Sequence, residues 1–199
     1  MVPTTALLVD GSALFFGQRA ASPDKNLDYN ILLQMMQDHS EGIWPAKPAI
    51  FFTAADEANE KQKKFNDMIG HHLNWTVRQT PPHEAVVINP LLTDSPSRNI
   101  RFDALIAYSL ARIAGRPEIG RVFIISDSWP LAACVKDCVG RGTPVTMCFF
   151  GDLIDTRWHK EFRDFDPDEL DFLDLQREPK LFNRPRLTLR REDDVLDLP

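Results

Sequence analysis

Short strand-like runs dominated by apolar and β-branched residues recur along this chain, and segments with helical spacing separate them. TALLVD (5–10), PAIFFTA (48–54), NWTVRQT (74–80), RVFIIS (121–126) and PVTMCFFG (144–151) read as strands. Between them, LDYNILLQMMQDH (27–39) is rich in helix formers and free of Gly and Pro. Residues 57–73 place Phe65, Met68, Ile69 and Leu73 on one helical stripe, with Lys61, Lys63 and Lys64 falling mostly off it. Residues 102, 105, 106, 110 and 113 form another such stripe. Pro130 suits the first turn of a further helix, in which Leu131, Cys134, Val135, Cys138 and Val139 share a face before Gly140 and Gly142 end it. An antiparallel sheet with one wet face alternates apolar and polar residues; unbroken apolar strands point instead to a parallel sheet covered on both faces by helices.

Composition bounds the rest. With 199 residues, 43% of them hydrophobic, the chain has enough apolar material for one sizeable core. The expected division is a domain over residues 1–175 and a charged, flexible or draped tail over 176–199, whose RPRLTLRR offers charge to nucleic acid and whose DDVLDLP offers a docking segment to a protein partner. DLIDTRWHKEFRDFDPDELDFLDL, just before it, is expected to close the domain with a short helix and an edge strand. The Pro-rich passage 81–97 breaks the rhythm, with AVVIN a short strand inside it. Cys134, Cys138 and Cys148 form no CxxC pair, and no apolar run reaches about 18 residues, so a cytoplasmic protein without a membrane partner is expected. Residues 152–199 hold 14 of the 29 acidic and 9 of the 23 basic residues, a net charge of −5, which leaves −1 on residues 1–151. A nearly neutral body argues against a long basic groove.

In sheets of this kind ligands bind beyond the carboxyl ends of the strands, near the point where strand order reverses. Asp10 and Asp127 stand at two such ends, and Asp103 begins a helix in line with apolar Ile106, Ala107 and Leu110. Three acids on one rim repel one another unless a cation compensates them, and hard divalent cations such as Mg²⁺ take oxygen ligands. The competing structural role for each acid is a helix cap or a first-turn charge. No GxxxxGK[ST] or GxGxxG loop follows a strand, which leaves a glycine-rich phosphate cradle without support. His71 and His72 close a helix, while Cys134 and Cys138 lie on the core-facing stripe; none of the four is assigned chemistry.

LLVDGSALF, RNIRFDALIAYSLARIA and VFIISDSWPLAACVKDCVGRGTPVTMCFFG resemble, in order and spacing, the three blocks of the NYN domain, a branch of the PIN-like nucleases. The likeness spans about residues 4–175. It implies a three-layer α/β/α PIN-like sandwich with a mostly parallel central sheet, and a Mg²⁺- or Mn²⁺-dependent endoribonuclease acting on RNA, expected to be single-stranded. Asp10, Asp103 and Asp127 match the family's catalytic, metal-holding acids, and Ser128, with Ser12 nearby, matches an outer-shell position. Arg98 and Arg101 are expected to meet phosphate, and Trp129 to stack a base, with solvated loop charges and a packed indole as the structural alternatives. Three positions depart from the pattern: Ala13 replaces an Asn, Ser109 a further acid, and Trp129 the second acid of Asp-Ser-Asp. They motivate a competing expectation, a catalytically weak or inactive NYN fold that binds RNA or a protein partner. A one-metal phosphohydrolase on a small substrate uses the same acids.

Overall fold

The computed structural model describes residues 3–40, 44, 46–55, 59–80, 86–87, 100–151, 155–182 and 184–185. Six strands form one sheet: β1 (Thr4–Asp10), β2 (Ala49–Ala54), β3 (Thr76–Thr80), β4 (Ile119–Ile125), β5 (Val145–Phe149) and β6 (Leu170–Asp174). Every neighbouring pair is parallel, in the order β3-β2-β1-β4-β5-β6. The helices are α1 (Gly11–Ala21), α2 (Tyr29–His39), α3 (Glu60–His72), α4 (Asp103–Ile113), α5 (Ala132–Gly140) and α6 (Arg157–Glu161). The fold is an α/β/α sandwich, and the unbroken apolar strands are the reason.

Along β1, Ala6 and Leu8 enter one core while Leu7 and Val9 enter the other, the period-two alternation of a strand with two buried faces. The first core joins the sheet to Ile106 and Leu110 of α4, Val135 and Cys138 of α5, and Trp158 of α6. The second joins it to Leu14 of α1, Leu32 and Met36 of α2, and Ile69 of α3. Burial pushes the Cys138 thiol up to about 12, which leaves it a packing group rather than a nucleophile. All three cysteines are free. Val86–Val87, within the AVVIN segment, pairs antiparallel with Ile100–Arg101. The expected closing helix and edge strand are α6 and β6.

Two findings depart from the sequence reading. Gly11–Ala21, which carries no helical expectation, is the helix α1; its glycines make it a poor intrinsic former, and packing overrides that. The boundary at 175 also falls too early. Leu181 is fully buried and Phe182 is 6% exposed, both in the second core, and Leu181 accepts a backbone hydrogen bond from Asp28 at 2.8 Å. Arg184–Pro185 then pairs with Lys25–Asn26. The remainder of the tail, including DDVLDLP, lies outside the described residues.

Gly17 shows how closely α1 lies on the sheet. A Cβ there would stand 2.1 Å from Cδ2 of buried Phe150. In an ordinary helix interior Gly→Ala gains about 0.5–1 kcal/mol. Here overpacking, typically about 1–3 kcal/mol, outweighs it. Gly17→Ala is therefore expected to lower the urea midpoint, and a raised midpoint would show that Phe150 yields.

Candidate carboxylate site at the carboxyl edge of the sheet

The strand order reverses between β1 and β4. From β1 the chain turns through α1 and α2 on one face to reach β2, and from β3 it crosses through α4 on the other face to reach β4. Val9 is in register with Ile125, so Asp10 and the Ser126-Asp127-Ser128 turn leave the sheet side by side. Ala13, Ser126 and Asp127 line one narrow crevice there, between the first turn of α1 and the ends of β4 and β5.

Asp10 ends β1 and caps α1. Its Oδ1 accepts hydrogen bonds from the amides of Ser12 at 2.8 Å and Ala13 at 3.1 Å. Gly11 makes this tight start achievable: a Cβ there would lie 2.6 Å from the Phe52 carbonyl oxygen and 2.8 Å from the Phe51 ring. The carboxyl is 3% exposed, and burial pushes its pKa up to about 7. The Ala13 and Ser12 amides oppose that rise, while the negative charges of Asp127 and Asp103 add to it. Asp10 thus feels both other predicted acids electrostatically.

Asp127 is exposed and Asp103, the first residue of α4, is half-buried. Ser126 Oγ accepts from the Ser128 amide at 3.2 Å and shapes the turn between β4 and the next helical turn. Ser128 is 2% exposed, and its Oγ has no hydrogen-bond partner among the described residues. Ser12 acts on Asp10 through its amide. Ser109, where the resemblance expects a further acid, is buried on α4.

The three carboxylates do not close around one point: among the described residues, no group of three or more His, Cys, Asp or Glu is placed to hold a metal ion. Two of them with water remain a chemically sufficient set, since Mg²⁺ is commonly held by one or two carboxylates with water and substrate phosphate completing its shell. Asp10, whose Oδ1 caps α1, and exposed Asp127 are the two that leave neighbouring strands.

Trp129 is half-buried in the short turn Trp129–Leu131. Its ring meets Trp158 edge-on at 5.5 Å, and the Arg157 guanidinium lies over it at 4.9 Å. Arg157 is itself bound to Asp155 at 2.5 Å, which holds the Asp155 carboxyl down at about 2. Trp129, expected to stack a base, is thus already in contact with Arg157 and Trp158; an aromatic pair and a cation joined across 28 residues leave no local sequence signature. Arg98 lies outside the described residues, as do the side chain of Arg101 and two further acids, Asp94 and Asp152, that a fourth position at this rim would draw on. Sequence reasoning passed over Ser126, although its Ser-Asp-Ser setting was a usable signal, and over Gly11 as the residue that lets α1 begin at the rim.

No protein-family model matches the chain, and no curated protein does. Among solved structures, the nicotinamidase SaPncA from Staphylococcus aureus aligns over 87% of this chain and 98% of that one, at 12% identity and a TM-score of 0.38. A likeness this loose carries no argument about function.

Proposed function

We infer that the chain is a Mg²⁺- or Mn²⁺-dependent ribonuclease working at the Asp10–Asp127 rim, with Asp103 adding negative charge from α4. One observation carries this reading. A buried carboxyl is kept within electrostatic reach of two others of its own charge, at a position where a neutral amide would cap α1 without the electrostatic cost. Perturbed acids at the switch point of an α/β sheet concentrate at functional sites. A cation held there would offset the repulsion and polarise a phosphodiester. Asp10 and Asp127 would hold it, and the Ser128 hydroxyl has donor and acceptor capacity to orient a carboxylate or water beside it. RNA as the substrate rests on the resemblance to the NYN domain.

Labelled single-stranded RNA incubated with the protein and Mn²⁺ is expected to yield products, and Asp127→Asn is expected to slow cleavage by at least about 100-fold, since even groups that only support a metal ligand cost up to that much. Equal cleavage by parent and variant would assign the activity to something else. The commitment of Asp10 Oδ1 to two amides favours a second reading, an RNA-binding protein that cuts poorly or not at all. Retained, intact RNA is the result that supports it. No helix among the described residues is long and apolar enough to cross a membrane. The placement of the protein in the cytoplasm rests separately on its three free cysteines.

A further inference from the structure

A second concavity opens at the carboxyl ends of β5 and β6, with a volume of about 570 Å³. Phe149, Phe172 and Met35 supply its apolar surface, and His159, Asp174 and Arg177 supply polar groups. That volume and mixed lining fall within the ordinary range of small-molecule sites. The His159 ring lies 5.8 Å from Phe149 and 5.2 Å from Phe172, so three rings line one recess.

Its charges are largely spent on one another. Asp174 accepts the Gly151 amide at 2.8 Å and the Gln176 amide at 3.0 Å through Oδ1, and Arg177 Nε at 3.2 Å through Oδ2. Glu178, also on the lining, accepts the Lys180 amide at 3.0 Å. An anion meets one guanidinium already engaged with a carboxylate, together with a second carboxylate, whereas an uncharged planar ring meets a recess lined by three aromatic rings and polar groups able to hydrogen-bond its edge. Phe149 lines both this recess and the crevice that contains Asp127 and Ala13, so the two sites adjoin.

We propose that this recess binds a nucleobase, seated against His159 and Phe172 and placing its nucleotide beside the carboxylate rim. The identity of the ring as a nucleobase rests on the RNA reading above. His159 and Phe172 would add to the stacking role expected of Trp129, over whose ring Arg157 lies.

Adenosine and uridine, titrated separately against the full chain without divalent cation and followed by saturation-transfer NMR, are expected to bind saturably and to compete with each other. Stacking of one base on an aromatic side chain corresponds to roughly a tenfold change in affinity. His159→Ala, at an exposed position that leaves the core intact, and Phe172→Leu, which keeps an apolar group, are each expected to weaken binding by about that factor. Circular dichroism checks that each variant is folded. Absence of saturable binding, or binding unchanged in folded His159→Ala and Phe172→Leu, overturns the proposal. Nucleoside binding without RNA cleavage would preserve the recess and remove the nuclease, and cleavage without nucleoside binding would do the reverse.

Discussion

At pH 8, Asp10→Asn is expected to make the protein more stable than its parent, by an amount on the order of 4 kcal/mol at most. The sign follows from proton linkage. The carboxyl titrates at an ordinary 3.8 when the chain is unfolded and at about 7 in the fold, chiefly through burial, with the charges of Asp127 and Asp103 adding to the rise. Between those values the native state holds a proton that the unfolded state has released, so stability declines as pH rises, by about 1.4 kcal/mol per unit. The decline ends once pH passes about 7, where both states are ionised. Asparagine keeps an oxygen that can accept from the Ser12 and Ala13 amides and has no charge to desolvate. Urea midpoints at pH 5, 6.5 and 8 should therefore show this component of the slope in the parent and its loss in the variant. A variant less stable than the parent at pH 8 would mean that the charge-assisted cap outweighs burial. If the rim takes a divalent cation, Mn²⁺ should raise the parent's melting temperature at pH 8, chelator should reverse the rise, and Asp10→Asn should respond much less. Stability gained by removing a charged group at the cost of cation response is the signature of a site held for function.

Shortening the buried side chains beyond residue 175 should have the other large effect. Leu181 and Phe182 enter the second core with Leu175, and Phe182 packs 6.2 Å from Phe150, the ring on which Gly17 rests. Buried Leu→Ala changes cost about 2–5 kcal/mol and Phe→Ala changes about 3–5 kcal/mol. Leu181→Ala with Phe182→Ala is expected to lose at least about 5 kcal/mol even after allowance for coupling between neighbours. That is a large part of the whole stability of an ordinary domain. A protein cut after Leu175 should behave as badly or worse, because it also loses the Asp28 hydrogen bond to the Leu181 carbonyl. An unchanged denaturation midpoint in the cut chain would restore the domain boundary to 175.

Legibility followed the range of the interactions. β1, β2, β4 and β5 were readable because a strand buried on both faces writes its environment into consecutive letters. The α4 and α5 stripes were readable because helical period is also local. α1 was not, since Gly11 and Gly17 argue against a helix until the Phe52 carbonyl and the Phe150 ring appear beside them. Leu181 and Phe182 were hidden by charged neighbours whose composition suggests a solvated tail, and only the partners in α2 and the second core reveal their burial. Among the candidate site residues, strand ends and a helix start were enough to single out Asp10, Asp103 and Asp127. The covering of Trp129 by Arg157 was not readable in that way.

The amino-acid order alone determined a parallel sheet clothed by helices, and aspartates at the exits of two of its strands, because apolar periodicity and chain punctuation act over a few residues. Tertiary structure alone decided that Asp10 is both a helix cap and a carboxyl titrating near neutrality, that Asp127 and Asp103 act on it, and that an aromatic recess adjoins them. Desolvation and charge act through space, between groups about a hundred residues apart in the chain, and neither is present until the strands have paired.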